Sequence, residues 1–157
     1  MASPLKVAQA HTYPVSPERA FAFTLPAPLE DVFSRRYGPL PRVTKTTQEG
    51  DWGTVGQSRT VHTSDGGSMR EQLLTVDAPT SFSYELTEVK GPMKLIAKTI
   101  DGCWTFAAVG SGTRITWAWT IHPASTASRL LLPVLGRLWR GYARRALDRL
   151  EALMLAG

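Results

Sequence analysis

Two charged residues, Glu71 and Arg59, are the side chains best suited to acid–base or ligand-binding chemistry. They lie in strand-like stretches joined by the turn Asp65-Gly66-Gly67, which predicts that the two strands are neighbours. Period-two geometry puts Glu71 on the face of Leu73, and Arg59 on the face of Val61. If that face points into the protein, the two charges must pair, because an unpaired buried charge is costly.

Three roles are open for this pair. It is a polar anchor for a ligand hydroxyl, carbonyl or carboxylate, an acid–base pair, or a structural ion pair that holds two strands in register. Tyr84 and Tyr142 are further candidates, since their hydroxyls either orient a ligand or are satisfied within an aromatic core. The candidates for catalysis are therefore Glu71, Arg59 and a tyrosine such as Tyr84.

Four tryptophans are predicted to face the interior, where they form either core or the lining of a cavity: Trp104, Trp117, Trp119 and Trp139. Tryptophans that converge on one space favour a flat, apolar or aromatic ligand.

Metal, nucleophile and phosphate chemistry have no recognisable pattern in this sequence. His11, His62 and His122 are far apart and lack the spacing of a metal site. The Gly-Ser-Gly-Thr stretch at 110–113 lacks the lysine of a phosphate-binding loop and is predicted to be a hairpin tip. Cys103, the single cysteine, is predicted to be a small buried hydrophobe in a protein of the reducing cytoplasm. No metal and no other cofactor is expected.

The composition is that of an ordinary globular chain, with 157 residues, 43% hydrophobic, 20% charged and a net charge of +5. Residues 1–157 are predicted to form one domain. No apolar run reaches the ~20 residues that cross a bilayer, and no signal-peptide pattern opens the chain. Six of the 18 basic residues lie between Arg129 and Arg149. They form either the solvated face of a helix or a surface for acidic partners; no nucleic-acid-binding motif accompanies them, so no nucleic acid is expected.

The order of elements begins with a strand over 7–13 and continues with two short helices. The first helix is capped by Ser16, with Pro17 at its first position, and the second covers residues 29–37. Six strands linked by tight turns follow, at 43–48, 57–64, 68–76, 81–89, 94–109 and 113–122. Such links predict antiparallel pairing, and the loops at 38–41 and 90–92 are expected to control access to the interior.

A long amphipathic helix is predicted over residues 124–156, with Ser125 or Thr126 as its cap. Pro133 predicts either a kink after the first turn and a half, which we favour, or the start of the helix. Gly136 and Gly141 lower helix propensity and could leave room for a packed neighbour. Steps of three and four gather the apolar residues on one side: Leu131, Leu135, Leu138, Trp139, Tyr142, Ala146, Leu150 and Leu153. The predicted fold is α+β, with a curved antiparallel sheet of about seven strands against one long helix.

Several short motifs accompany this order of elements. They are Val55-Gly56-x-x-Arg59, Asp65-Gly66, Arg70-Glu71, Asp77-x-Pro79, Phe82-x-Tyr84, Trp104-x-Phe106 and Gly112-Thr113-Arg114-Ile115-Thr116-Trp117. Together they resemble the START-like, or SRPBCC, helix-grip superfamily, and within it the bacterial polyketide cyclase/dehydrase and lipid-transport-like branch. The likeness covers essentially the whole chain.

The resemblance implies a helix-grip fold in which the sheet wraps the C-terminal helix and leaves a cavity. The abscisic-acid receptors of this superfamily carry a pocket glutamate at the position that matches Glu71. With the period-two pattern, the likeness predicts these ligand-binding residues: Arg59, Val61, Glu71, Leu73, Tyr84, Leu86, Trp104, Phe106, Trp117, Trp119, Leu135, Trp139 and Tyr142.

Three functions are consistent with these features. The leading hypothesis is cofactor-independent binding of a hydrophobic or amphipathic small molecule, lipid- or polyketide-like, by a bacterial cytoplasmic protein. The alternative is a polyketide cyclase or dehydratase that uses Glu71, Arg59 and a tyrosine as acid–base groups. The third is a surface-interaction module that acts through the arginine face of the last helix, with weak contact to a membrane surface. The protein is expected to be a monomer or a homodimer.

Overall fold

The computed structural model describes residues 3–48 and 50–156. Seven strands form one antiparallel sheet in the order β1-β7-β6-β5-β4-β3-β2. Their bounds are Leu5–Tyr13 (β1), Val43–Thr47 (β2), Ser58–Thr63 (β3), Ser68–Asp77 (β4), Ser81–Lys90 (β5), Ala97–Val109 (β6) and Gly112–Pro123 (β7). The hairpin turns therefore pair β2 to β7 in series, and β1 closes the order beside β7, which confirms the predicted sheet.

The connection from β1 to β2 contains two helices, α1 (Pro17–Thr24) and α2 (Leu29–Val32). Ser16 caps α1 as predicted, since its Oγ accepts a hydrogen bond from the backbone N–H of Arg19 at 3.2 Å. The prediction that α2 extends to residue 37 is wrong. The Phe33 carbonyl accepts from the Val43 N–H of β2 at 2.9 Å and is not used to extend the helix.

A 3₁₀ helix, Pro92–Leu95, occupies the start of the stretch predicted to be the sixth strand. The N–H groups of Lys94 and Ile96 bond back to Gly91 and Met93, each at 3.0 Å. These local bonds take the donors that a strand would use, so β6 begins at Ala97.

The C-terminal helix, α3, covers Leu132–Ala156 and is preceded by a separate 3₁₀ helix, Ser128–Leu131. The expected kinked helix from residue 124 is therefore replaced by a 3₁₀ turn and a helix that begins beside Pro133, whose missing N–H costs nothing in a first turn. Ser125 still accepts a bond from the Ser128 N–H at 3.0 Å. No helix of the described residues is long and apolar enough to cross a membrane.

Two contacts fix α3 against β1. Tyr13 donates its hydroxyl hydrogen to the Leu147 carbonyl at 2.7 Å. A Cβ on Gly136 would lie 2.9 Å from Leu5 and 3.2 Å from Val7, so this glycine lets the helix approach the strand. Both interactions place the apolar side of the helix on the sheet.

The predicted apolar stripe of α3 is confirmed at its centre and wrong at its start. Leu131 is 51% exposed, because it belongs to the 3₁₀ turn before the helix. Six buried residues that the stripe left out complete the packed side of the helix: Leu132, Gly136, Gly141, Ala143, Leu147 and Met154.

Candidate functional site

A cavity of about 360 Å³ lies between the sheet, the α1–α2 segment and α3. The sheet contributes inward-facing side chains from β2 to β7, and α3 contributes one apolar side. Most of the surrounding side chains are aliphatic or aromatic, so the space offers an apolar environment with few polar groups.

Eleven of the thirteen predicted binding residues line this cavity. They are Arg59, Val61, Glu71, Tyr84, Leu86, Trp104, Trp117, Trp119, Leu135, Trp139 and Tyr142. The other two, Leu73 and Phe106, are buried but do not border the space. Phe106 packs its ring 5.2 Å from that of Phe21 in α1, which fills the position where cavity was expected.

The ion pair between Arg59 and Glu71 is confirmed. The two residues face each other across β3 and β4, and Arg59 Nε donates to Glu71 Oε1 at 2.9 Å. Both side chains are 5% exposed, so the pair is shielded from solvent. The Arg59 guanidinium also lies 4.0 Å from the centroid of the Trp52 ring, a cation–π contact that stabilises a buried arginine.

Burial raises the pKa of Glu71 above its ordinary value, and the Arg59 guanidinium opposes this effect without overcoming it. Loss of hydration therefore dominates over the ion pair at this carboxyl group. Glu71 therefore holds a proton more readily than an exposed glutamate does.

Tyr84 stands at the centre of the polar groups. It is buried on β5, and its hydroxyl oxygen accepts from Trp117 Nε1 at 2.8 Å and from Trp119 Nε1 at 2.9 Å. The tryptophans are on β7, two strands away, and Gly102 of β6 is the register partner of Tyr84. Since a Cβ at Gly102 would collide with the tyrosine ring, the glycine is what lets Tyr84 cross β6.

The aromatic wall is centred on Trp117. The centroid of its ring lies 4.7 Å from Trp139, 5.4 Å from Trp104 and 5.0 Å from Phe33. These rings come from the sheet, from α3 and from the residue that follows α2. They give the cavity flat, apolar walls, to which planar ligands can stack.

Tyr142 reaches the cavity from α3, but its hydroxyl is already engaged. It donates to the Pro41 carbonyl at 2.8 Å, and its ring stacks on Phe33 with 5.7 Å between centroids. Burial raises the pKa of Tyr142, with a smaller effect from Asp65. The hydroxyl therefore ties α3 to the loop before β2 and offers a ligand no free hydrogen.

The cavity is also lined by residues that sequence reasoning did not assign to the site. Both loops expected to control access contribute, through Pro39, Leu40 and Pro41 and through Lys90 and Pro92. Further lining residues come from the end of β3, the turn after it, the start of β4, the residue after α2 and α3: Thr63, Asp65, Ser68, Met69, Phe33 and Leu138. Leu138 belongs to the predicted stripe of α3, which was the one signal for it.

The histidines and the cysteine lie apart from the cavity. His122 pairs with Asp101 at 2.8 Å, and His11 lies 3.4 Å from Asp148 and 3.3 Å from Glu151. The described part of the chain holds no group of three residues suited to a metal ion. Cys103 is only partly buried, contrary to expectation, because it alternates with inward-facing Gly102 and Trp104 and so points to the other face of the sheet.

The sequence matches one protein-family model, described as polyketide cyclase/dehydrase and lipid transport, over residues 4–155. No curated protein sequence matches the chain significantly.

Solved structures with the same architecture come from plants and bacteria. Ginseng major latex-like protein 151 from Panax ginseng aligns with a TM-score of 0.74 at 13% identity, covering 97% of this chain and 98% of its own. A protein from Thermus thermophilus aligns with a TM-score of 0.72 at 18% identity, with the same coverage of 97% and 98%. One from Mycobacterium smegmatis gives 0.63 at 20% identity, covering 95% and 90%. At these identities the likeness shows the fold alone, the START-like helix grip.

Proposed function

The chain belongs to the polyketide cyclase/dehydrase and lipid-transport family, and from that premise we propose that it binds a small hydrophobic or amphipathic molecule between the sheet and α3. The ligand is lipid- or polyketide-like, with a flat or apolar body and one polar end. No cofactor is part of this proposal.

One observation carries the proposal: the cavity of about 360 Å³ joins a mostly apolar lining to a buried cluster of polar side chains. Its volume falls within the ~300–1,000 Å³ of typical small-molecule sites. A purely structural core would be packed to the density of an organic crystal and would leave no such space. The cluster of Arg59, Glu71 and Tyr84 supplies the few directed polar groups that such sites use to orient a ligand.

The aromatic wall supports a planar ligand body. Trp104 and Trp117 are stacked at 5.4 Å and 19°, and a fused aromatic ring can extend such a stack. Burying an apolar ligand surface in this space is favourable by about 25 cal/mol for each Å² removed from water.

Native mass spectrometry of the protein incubated with naphthalene derivatives tests the proposal. We expect one ligand per chain, and the same spectrum reports whether the chain is a monomer or a homodimer. Leu138→Trp adds an indole to a residue that lines the cavity and should reduce ligand occupancy strongly. Leu155→Trp makes the same change on the same helix at a site 51% exposed and should leave occupancy unchanged.

Two results would contradict the proposal. One is an absence of any complex with the wild-type chain across apolar ligands of different shape. The other is equal occupancy in the wild type and in Leu138→Trp, since a ligand that ignores a blocked cavity is bound elsewhere.

A second candidate is catalysis of cyclisation or dehydration of a polyketide. The raised pKa of Glu71 favours it, because a carboxyl group whose pKa is moved up towards the working pH is a better general acid or base. Aldol chemistry also needs a donor near a ligand carbonyl, a position that Tyr84 or Arg59 would fill.

Turnover of a model poly-ketone by the wild type and by Glu71→Gln separates the two candidates. An enzyme that uses Glu71 loses roughly a hundredfold or more of its rate in this variant, while ligand occupancy changes little. If the wild type binds the poly-ketone without turnover, the binding function is retained and the catalytic function is excluded.

A further inference from the structure

We propose that Tyr84 selects the ligand by donating its hydroxyl hydrogen to a neutral carbonyl oxygen inside the cavity. The inference rests on the proposed binding function and adds to it the chemical class of the ligand's polar end. Tyr84 becomes a specificity-determining residue, with Trp117 and Trp119 as the residues that fix its hydrogen-bonding direction.

The direction of the two bonds follows from the chemistry of indole. An indole N–H donates and never accepts, whereas a phenol oxygen has two lone pairs and one hydrogen. Trp117 Nε1 and Trp119 Nε1 donate to Tyr84 at 2.8 and 2.9 Å. Both lone pairs of the hydroxyl oxygen are therefore engaged, and the hydrogen is the only group that Tyr84 still has to offer.

That hydrogen has no acceptor among the described residues. Among these residues, the Tyr84 hydroxyl acts only as a hydrogen-bond acceptor. The side chain is buried and lines the cavity. A buried donor without a partner is unfavourable. An acceptor on a ligand in the cavity removes this cost, and a ligand that lacks an acceptor does not.

Two further features hold Tyr84 in the donor state. Burial raises the pKa of its hydroxyl, and the charge of nearby Glu71 raises it further, so the hydrogen is retained at neutral pH. Gly102 leaves space beneath the ring, and the bonds from β7 fix its far end. Donation by both indoles also polarises the O–H group, which strengthens the bond that it donates.

The same surroundings favour a neutral acceptor over a carboxylate. A carboxylate in this apolar space would be poorly solvated, and the Arg59 guanidinium, whose charge also acts on Tyr84, is already paired with Glu71 at 2.9 Å. A ketone, ester or quinone carbonyl combines a strong acceptor with no charge.

Matched probes test the inference: 2-acetylnaphthalene carries a carbonyl, and 2-ethylnaphthalene has the same ring without an acceptor. The quantity measured is the ratio of the two dissociation constants, ethyl over acetyl, in wild type and variants. Tyr84→Phe should lower this ratio about tenfold, the equivalent of one hydrogen bond. Tyr37→Phe removes a hydroxyl from a tyrosine that does not line the cavity, and should leave the ratio unchanged.

The infrared C=O stretch of bound 2-acetylnaphthalene gives a second readout in the wild-type protein, which decides the matter if Tyr84→Phe does not fold. We expect a frequency below that of the ketone in hexane. If both probes bind, a hexane-like frequency or a ratio that Tyr84→Phe does not change would overturn the inference about Tyr84. The proposed binding function would still stand in that case. Failure of both probes to bind would overturn both the inference about Tyr84 and the proposed binding function.

Discussion

Tyr84 on β5 lies directly over Gly102 on β6, and the two are register partners in the sheet. An ideal Cβ at position 102 would collide with the Cζ, Cε2 and hydroxyl oxygen of the tyrosine. The missing side chain lets the tyrosine span one strand and reach Trp117 and Trp119 on the next. A glycine thus determines where the central polar group of the cavity lies.

Gly102→Ala is expected to lower the free energy of unfolding by about 1–3 kcal/mol, because the new methyl group displaces the Tyr84 ring from a packed site. Urea denaturation measures this change. In a Tyr84→Ala background the same substitution should cost little or nothing, since the colliding ring is gone. Additive effects of the two substitutions would show that the collision is not what constrains position 102.

Arg59→Met is expected to lower the free energy of unfolding by about 3–5 kcal/mol, because it leaves the buried Glu71 carboxylate without its partner. Adding Glu71→Leu should recover most of the loss, since both charges are then gone. Arg114→Met, at an exposed position of β7, serves as the control and should change stability by less than about 0.5 kcal/mol. A double variant as unstable as Arg59→Met would contradict the assignment.

The Glu71 titration gives a pH dependence of defined sign. Burial raises the pKa of Glu71 in the folded protein above 4.5, so the fold binds this proton more tightly than the unfolded chain does. The stabilisation that results is present below the ordinary pKa and is lost as pH rises through the raised one. The free energy of unfolding of the wild type, minus that of Glu71→Gln, should therefore fall across a pH series that starts near the ordinary glutamate pKa of about 4 and rises from there.

Urea denaturation of both proteins across that range measures the difference. A difference that increases with pH would mean that the ion pair with Arg59 stabilises the carboxylate more than burial disfavours it.

Tyr13→Phe tests the attachment of α3 to β1. The substitution removes the hydroxyl that donates to the Leu147 carbonyl at 2.7 Å and leaves a buried carbonyl without this partner. A loss of about 1–2 kcal/mol in the free energy of unfolding is expected. Tyr37→Phe is the matched control, because the Tyr37 hydroxyl makes no hydrogen bond within the described residues; equal losses in both variants would contradict the role given to Tyr13.

Local patterns in the sequence were sufficient to predict the antiparallel sheet and the ion pair between Arg59 and Glu71. The turn at Asp65–Gly67 and the alternation around Val61 and Leu73 place Arg59 opposite Glu71, and the structure has them there. Such features depend on period two and on short turns, which act between residues close in the chain.

Features that depend on distant contacts were not predictable in the same way. The helix expected over 29–37 ends at Val32 because the Phe33 carbonyl bonds to β2, a partner that sequence propensity does not reveal. The alternation in β6 correctly predicted that Phe106 is buried. In the structure, however, Phe21 of α1 packs against Phe106, so Phe106 does not border the cavity. A strand pattern shows which residues face inward but not which of them another element covers.

The bonds around the cavity tyrosines illustrate the same limit. Whether Tyr84 reaches β7 depends on the register that sets Gly102 beside it, and Tyr142 bonds to a loop residue 101 positions away in the chain. Neither relation has a local sequence signal. Both decide which hydroxyl hydrogen is free for a ligand.

An isotope-filtered nuclear Overhauser experiment on labelled protein with unlabelled 2-acetylnaphthalene tests the central claim most directly, because it locates the ligand. If the sheet and α3 enclose the binding site, cross-peaks will connect the naphthyl protons to the side chains of Trp117, Trp139 and Leu135. Cross-peaks confined to exposed apolar residues such as Leu95 and Leu130, which are both 76% exposed, would contradict the account.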